Sequence, residues 1–165
     1  LAGAFDDRYR IAGDYDWFLR VVTHPRLVIR RFERIIASYH SDGVSNRLDL
    51  SQREAFVIQN SVPVFRQPEW LQRRIGIYLR DSLSYSLRGV ALAGRLGPYI
   101  WLREASKFSG RIIAYPFERL AASLGSRTRR GRALDQLQER VLRQRIRNDD
   151  LERLAEDGWQ TPVSD

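Results

Sequence analysis

The sequence contains no cysteine and no methionine, only two histidines and a single lysine. Without cysteine, disulfides and thiolate-ligated metals are excluded, and the absence fits a reducing compartment. Two histidines, His24 and His40, cannot build a histidine-rich metal site. No apolar run approaches the roughly 18–20 residues of a membrane-spanning helix, and no signal peptide is visible. No glycine-rich strand-to-helix turn of the dinucleotide or P-loop kind occurs. Internal repeats and true low-complexity tracts are also missing.

What is present is a chain of 165 residues with 43% hydrophobic content, enough for a core and the length of one domain or a domain piece with an appendage. The formal net charge is +8. Lys107 is the only lysine, so arginine carries the rest of the 28 basic residues. A balance of this sign suits anionic lipid, nucleic acid or sugar diphosphates. Solvated basic faces in an arginine-biased chain would produce the same number.

Residues 1–12 read as a loop. Residues 14–23 read as a helix with Trp17, Phe18, Val21 and Val22 on one apolar face, ended by Pro25. Leu27-Val28-Ile29 and Ile35-Ile36-Ala37 read as two short strands around a polar turn, followed by the turn signal Ser41-Asp42-Gly43. The next helix opens near Asp49-Leu50-Ser51, where Ser51 and Glu54 have capping-box spacing, and it runs to Pro63. From Gln67-Pro68-Glu69 onward the pattern is helical. Leu71, Ile75, Tyr78, Leu79, Leu83 and Leu87 recur mostly at three or four residues over 69–96. Gly94, Gly97 and Pro98 break it. Tyr99 to Phe108 is expected as a short helix stopped by Gly110, and Ile112 to Leu124 as another, interrupted near Pro116. Residues 125–131 read as a basic linker and 132–156 as a long charged helix. In that helix Leu134, Leu137, Val141 and Leu151 fall near heptad spacing, with Gln144 and Asn148 in the seam. This suits either a weak coiled coil or a helix docked on its own domain.

The densest chemistry lies in Phe5-Asp6-Asp7-Arg8-Tyr9-Arg10-Ile11-Ala12-Gly13-Asp14-Tyr15-Asp16-Trp17-Phe18-Leu19-Arg20, where carboxylates and arginines are packed among aromatics. Asp14 stands where the helix opens, a position at which a carboxylate can cap free N–H groups or serve as a proton acceptor. Gly3, Phe5-Asp6-Asp7, Arg8-Tyr9 and Gly13-Asp14-Tyr15-Asp16-Trp17-Phe18-Leu19-Arg20, followed by Ile35-Ile36-Ala37-Ser38-Tyr39-His40 and Asp42-Gly43-Val44-Ser45-Asn46, resemble the acceptor-side segment of family 2 glycosyltransferases. These are inverting GT-A enzymes of polysaccharide and cell-envelope synthesis. The resemblance covers residues 1 to about 65.

That resemblance implies an α/β fold class. Residues 1–66 would be the C-terminal part of a GT-A Rossmann-like domain. A mainly helical tail would follow, divided into 67–126 and a basic linker with a charged helix over 127–165. It implies transfer of a sugar from a nucleotide-sugar donor to a saccharide or lipid-linked acceptor hydroxyl, with inversion. It further implies a divalent cation, Mg or Mn, and a cytoplasmic location that could extend to the inner face of the cytoplasmic membrane. The family's donor half and its Asp-x-Asp motif are missing, so a chain starting at Leu1 within the motif is expected to be a truncated and inactive piece.

By the same resemblance Asp14 is the catalytic base, with an N-cap as its structural alternative. Asp16 would contact the acceptor or pair with Arg20, and Trp17 would stack on a sugar or join the core. His40, Ser45 and Arg47 fall in a late polar loop that can reach the metal or the diphosphate. His40 is the candidate metal ligand there, and the Arg47 guanidinium matches phosphate oxygens. Asp6 and Asp7 read as loop-setting residues with Arg8 and Arg10 as counter-charges.

The aromatics and arginines of residues 70–120 allow helices that lie on an anionic membrane surface, or an ordinary helical core. The rival to the enzyme is accordingly a non-catalytic basic helical module that binds a membrane surface or nucleic acid. The basic run Arg127, Arg129, Arg130 and Arg132 has no reader motif beside it, so nucleic acid is not expected as the partner.

Overall fold

The computed structural model describes residues 3–28, 30 and 48–157. Five helices carry them: α1 over Gly13–Val22, α2 over Leu48–Ser61, α3 over Pro68–Ala93, α4 over Pro98–Leu124 and α5 over Arg127–Asp157. A short 3-10 turn occupies Pro63–Arg66. The chain divides into two compact units, Leu1–Pro63 and Val64–Asp165.

The expected α/β architecture is overturned, because the described residues are helical and contain no strand. Leu27 and Val28 are not in a strand, and Val28 is 84% exposed. A β-branched run becomes a strand when a face of it is buried against neighbours, and Val28 has no such burial. The second expected strand, Ile35 to Ala37, lies outside the described residues.

In the first unit, α1 begins at Gly13 and ends where Thr23 closes the last turn, its N–H donating to the Leu19 carbonyl at 3.0 Å. Leu19 of α1, Phe56 and Ile58 of α2, and Ala12 at the entry to α1 are buried.

The second unit is a three-helix arrangement built on α3, which packs against both α5 and α4, while α4 and α5 meet only slightly. Pro68 and Pro98 stand in the first turns of α3 and α4, where a missing N–H costs nothing. Gly97 enters α4 with φ of +125°, a conformation that favours glycine. Leu71, Ile75, Tyr78, Leu79 and Leu92 of α3 are buried, as are Leu134, Leu137, Val141, Leu142 and Leu151 of α5. The near-heptad leucines of α5 thus dock on α3 of their own unit.

Farther along this seam the contact turns polar. Gly89 of α3 faces Gln144 and Asn148 of α5, and a Cβ there would stand 2.8 Å from Asn148 Oδ1 and 2.9 Å from Gln144 Nε2. Those amides cannot swing aside freely. Gln144 Nε2 donates to Asn148 Oδ1 at 3.0 Å, and Asn148 Nδ2 donates to the Tyr85 carbonyl at 2.8 Å. Gly89→Val is therefore expected to destabilise this unit by about 2 kcal/mol through overpacking, to be read from denaturant unfolding.

Three expected breaks are absent or shortened. α4 runs unbroken through Gly110 and Pro116, and α5 begins at Arg127, so of the linker expected over 125–131 residues 127–131 are helical. An isolated helical glycine costs only about 1 kcal/mol. Pro116 forfeits one helical donor, and it sits on the exposed side, where water can reach the carbonyl it leaves. Arg130 holds the end of α4 in place, donating to the Ala122 carbonyl at 2.8 Å and the Ser123 carbonyl at 2.7 Å.

Charge ties α4 to α5. Glu104, 3% exposed, accepts from Lys107 at 3.2 Å and from Arg147 of α5, and Arg103 lies 3.4 Å away. Burial opposes its charge, but the hydrogen bonds from Arg147 and Lys107 outweigh burial and hold Glu104 below the usual carboxylate range. Arg140 of α5 donates to both oxygens of Glu118 at 2.9 and 3.0 Å. Arg111 reaches Gln144 at 3.0 Å and also donates to Ser86.

Candidate functional site

The motif-bearing stretch is built around one buried carboxylate that does not belong to the motif. Glu54 of α2 accepts from three consecutive backbone N–H groups: Arg10 at 2.8 Å, Ile11 at 2.9 Å and Ala12 at 2.8 Å. The sequence assigns Glu54 to a capping box with Ser51, whereas its carboxylate reaches across to the loop before α1. The available signal was position: Glu54 lies four residues after Leu50 and four before the fully buried Ile58, on the inward stripe of α2. Burial opposes the charge of Glu54, yet the bonds from Ala12, Arg10 and Ile11 and the Arg10 charge prevail. Its pKa is therefore held below the usual range.

This clamp fixes the turn that delivers Asp14. Ala12 is the N-cap of α1 and makes no side-chain cap bond. Asp14 lies within the first turn with its side chain exposed, and its carboxylate accepts from the Tyr15 N–H at 2.7 Å. Asp14 is thus not the cap. Tyr15 is anchored by Gln59 of α2, whose amide donates to the phenol oxygen at 2.9 Å.

Asp16, two residues on, is buried and accepts from Arg20 Nε at 3.0 Å. Arg20 also donates to the Ala4 carbonyl at 2.8 Å. The Trp17 indole N–H donates to the Gly3 carbonyl at 3.2 Å, and its ring lies 5.7 Å from Phe5. Gly3 takes φ of +70° to meet these side chains. Trp17 and Arg20, the latter held by Asp16, therefore fasten residues 3–5 onto α1.

Upstream, Asp6 pairs with Arg8 at 2.6 Å, and the Arg8 hydrogen bonds bring its pKa down to about 2. The structure brings Asp14, Asp16 and Trp17 together on one helix. His40, Ser45 and Arg47 lie outside the described residues.

Among the described residues no group of three metal-ligating side chains is gathered, and the candidate ligand His40 lies outside them. A cleft of about 130 Å³ in the second unit is lined by Arg129, Arg130 and Arg140 beside Ile75, Ala122 and Leu137. Two of its cations are already committed, Arg130 to the end of α4 and Arg140 to Glu118.

Compared with known proteins, the chain matches no family model, no curated protein and no solved structure.

Proposed function

We propose that residues 1–66 form the acceptor-side, base-bearing portion of an inverting sugar transferase that uses a nucleotide-sugar donor. The observation that carries this reading is the exposed Asp14 carboxylate on the first turn of α1, delivered by a loop that Glu54 clamps through three backbone hydrogen bonds. A general base must be reachable by its substrate and held in a fixed direction, and this arrangement supplies both.

In the proposed step, Asp14 takes the proton of an acceptor hydroxyl as that oxygen attacks the anomeric carbon from the face opposite the leaving group. The bond to the nucleoside diphosphate breaks, the diphosphate departs with the bonding electrons, and the sugar configuration inverts. One positioned carboxylate suffices for such a single displacement. The acceptor is a hydroxyl of a saccharide or of a lipid-linked saccharide. Nucleotide-sugar supply places the reaction on the cytoplasmic side. A divalent cation would offset the diphosphate charge when bound, and no step here is routed through it.

The test is the stereochemistry of transfer by the complete natural polypeptide, followed by NMR at the anomeric proton. Net inversion is expected. A retained configuration would remove the single-carboxylate mechanism, and absence of any sugar transfer across nucleotide-sugar donors would remove the enzyme reading.

A further inference from the structure

α4 carries a second apolar stripe on the side away from the bundle. Its bundle side presents Glu104, Arg111 and Glu118, each held by partners described above, beside the half-buried Ile100, Phe108 and Tyr115 and the buried Ala122. Its outward side presents Tyr99, Leu102, Ile113, Phe117, Leu120 and Leu124, all between 58% and 78% exposed. From Leu102 to Leu124 these positions follow helical spacing, with Ser106 and Ser109 bridging the gap before Ile113. The stripe runs most of a 27-residue helix, about 40 Å at 1.5 Å per residue. An apolar patch of this size on a folded unit marks an interaction surface.

We propose that this face of α4 lies on an anionic lipid surface. The charges decide the occupant. The two carboxylates of α4 lie on the bundle side, Glu104 with Arg103, Lys107 and Arg147 and Glu118 with Arg140, so no acidic residue of α4 is exposed beside the stripe, while Arg103 and Lys107 remain half-exposed and Arg119 is exposed. A second copy docked on the same face would bring its own cations against these, in a chain already at +8. A bilayer rich in anionic headgroups accepts both parts: the stripe enters the acyl boundary and the rim cations stay among the phosphates. No helix among the described residues is long and apolar enough to cross a membrane, so α4 lies in the surface plane. This inference does not rest on the sugar-transfer reading.

The experiment is flotation of the 165-residue chain with vesicles of equimolar phosphatidylglycerol and phosphatidylcholine, against vesicles of phosphatidylcholine alone. Binding is expected on the anionic vesicles and should weaken as salt rises. The double variant Ile113→Asp/Phe117→Asp, altered at two exposed positions, is expected to keep its helical circular dichroism and to bind at least about tenfold more weakly. Arg119→Glu should weaken binding about fivefold or more and flatten the salt dependence.

Failure to bind anionic vesicles at low salt overturns the proposal, as does binding that the folded double variant retains. Should the double variant fail to fold, undiminished binding by Arg119→Glu would overturn it. Concentration-dependent dimerisation abolished by the same variant would assign the face to a second copy and also overturn it. Salt-sensitive binding of duplex DNA without vesicle binding would assign the charge to nucleic acid, with the same consequence.

Discussion

Asp14→Asn is expected to lower kcat for sugar transfer by the complete polypeptide about 10²–10⁴-fold, the range of a positioned general base. KM should change little, because the amide keeps the shape and one acceptor oxygen of the carboxylate. Folding should be unaffected. Asp14 is exposed, it is not the N-cap of α1, and its hydrogen bond to the Tyr15 N–H can be kept by the asparagine oxygen. Had it been the cap, substitution by alanine would have cost about 1 kcal/mol of stability. Asp16→Asn supplies the contrast. Asp16 is buried against Arg20, so its loss should lower the melting temperature of the first unit more than Asp14→Asn does. Wild-type turnover in Asp14→Asn would remove the base assignment, whatever happens to Asp16→Asn.

The helical half of the chain was legible where spacing and proline agreed. Leu71, Ile75, Tyr78 and Leu79 mark the inward face of α3, and Pro68 and Pro98 mark where α3 and α4 begin. Punctuation misled where one residue was allowed to outvote its neighbours. Gly110 and Pro116 sit inside a helix whose other residues keep their ladder, and a run of arginines from 127 proved helical rather than a linker. The strand expected at Leu27 failed for a different reason: the β preference of Val28 depends on a buried face that it does not have.

Around the candidate site, local signals showed which residues carry charge but not whom they meet. Arg8 and Asp6 pair across two residues and Arg20 and Asp16 across four, distances within the reach of sequence reasoning. Glu54 acts across more than forty residues, and the nearby Ser51 offered a local partner that hid it. The outward apolar stripe of α4 was hidden in the same way. Its aromatics and aliphatics have helical periodicity on any reading. The side that faces the bundle meets partners on other helices, Arg140 and Arg147 of α5 among them.

Glu54→Ala is expected to unfold the first unit ahead of the second. Three backbone N–H groups lose their acceptor together, and the one on Ala12 is buried. An unsatisfied buried donor costs about 1–3 kcal/mol. Arg10 and Ile11 are less enclosed and can recruit water, so the sum should be about 3 kcal/mol rather than three full penalties. The buried residues of this unit are few, Ala12, Leu19, Phe56 and Ile58 among them, so a loss of that size removes much of its margin. Thermal unfolding should then show an early transition in the variant, and transfer should fall even though Asp14 is intact.

Glu54→Gln should sit between wild type and Glu54→Ala. One oxygen can still accept from Ile11 and Ala12, while the new amide N–H₂ opposes the Arg10 N–H. The acid limb separates the charge from the shape. The pKa of Glu54 is depressed in the folded chain, so its contribution is fully present above the unfolded value, about 4.3 for glutamate, and is lost as pH falls through the folded value. Asp6, held at about 2, adds acid sensitivity in a neighbouring window. The difference between wild type and Glu54→Gln therefore isolates Glu54: stability curves of the first unit should converge as pH drops below about 4. Curves that stay parallel would mean that the clamp acts through hydrogen-bond geometry alone, without its charge.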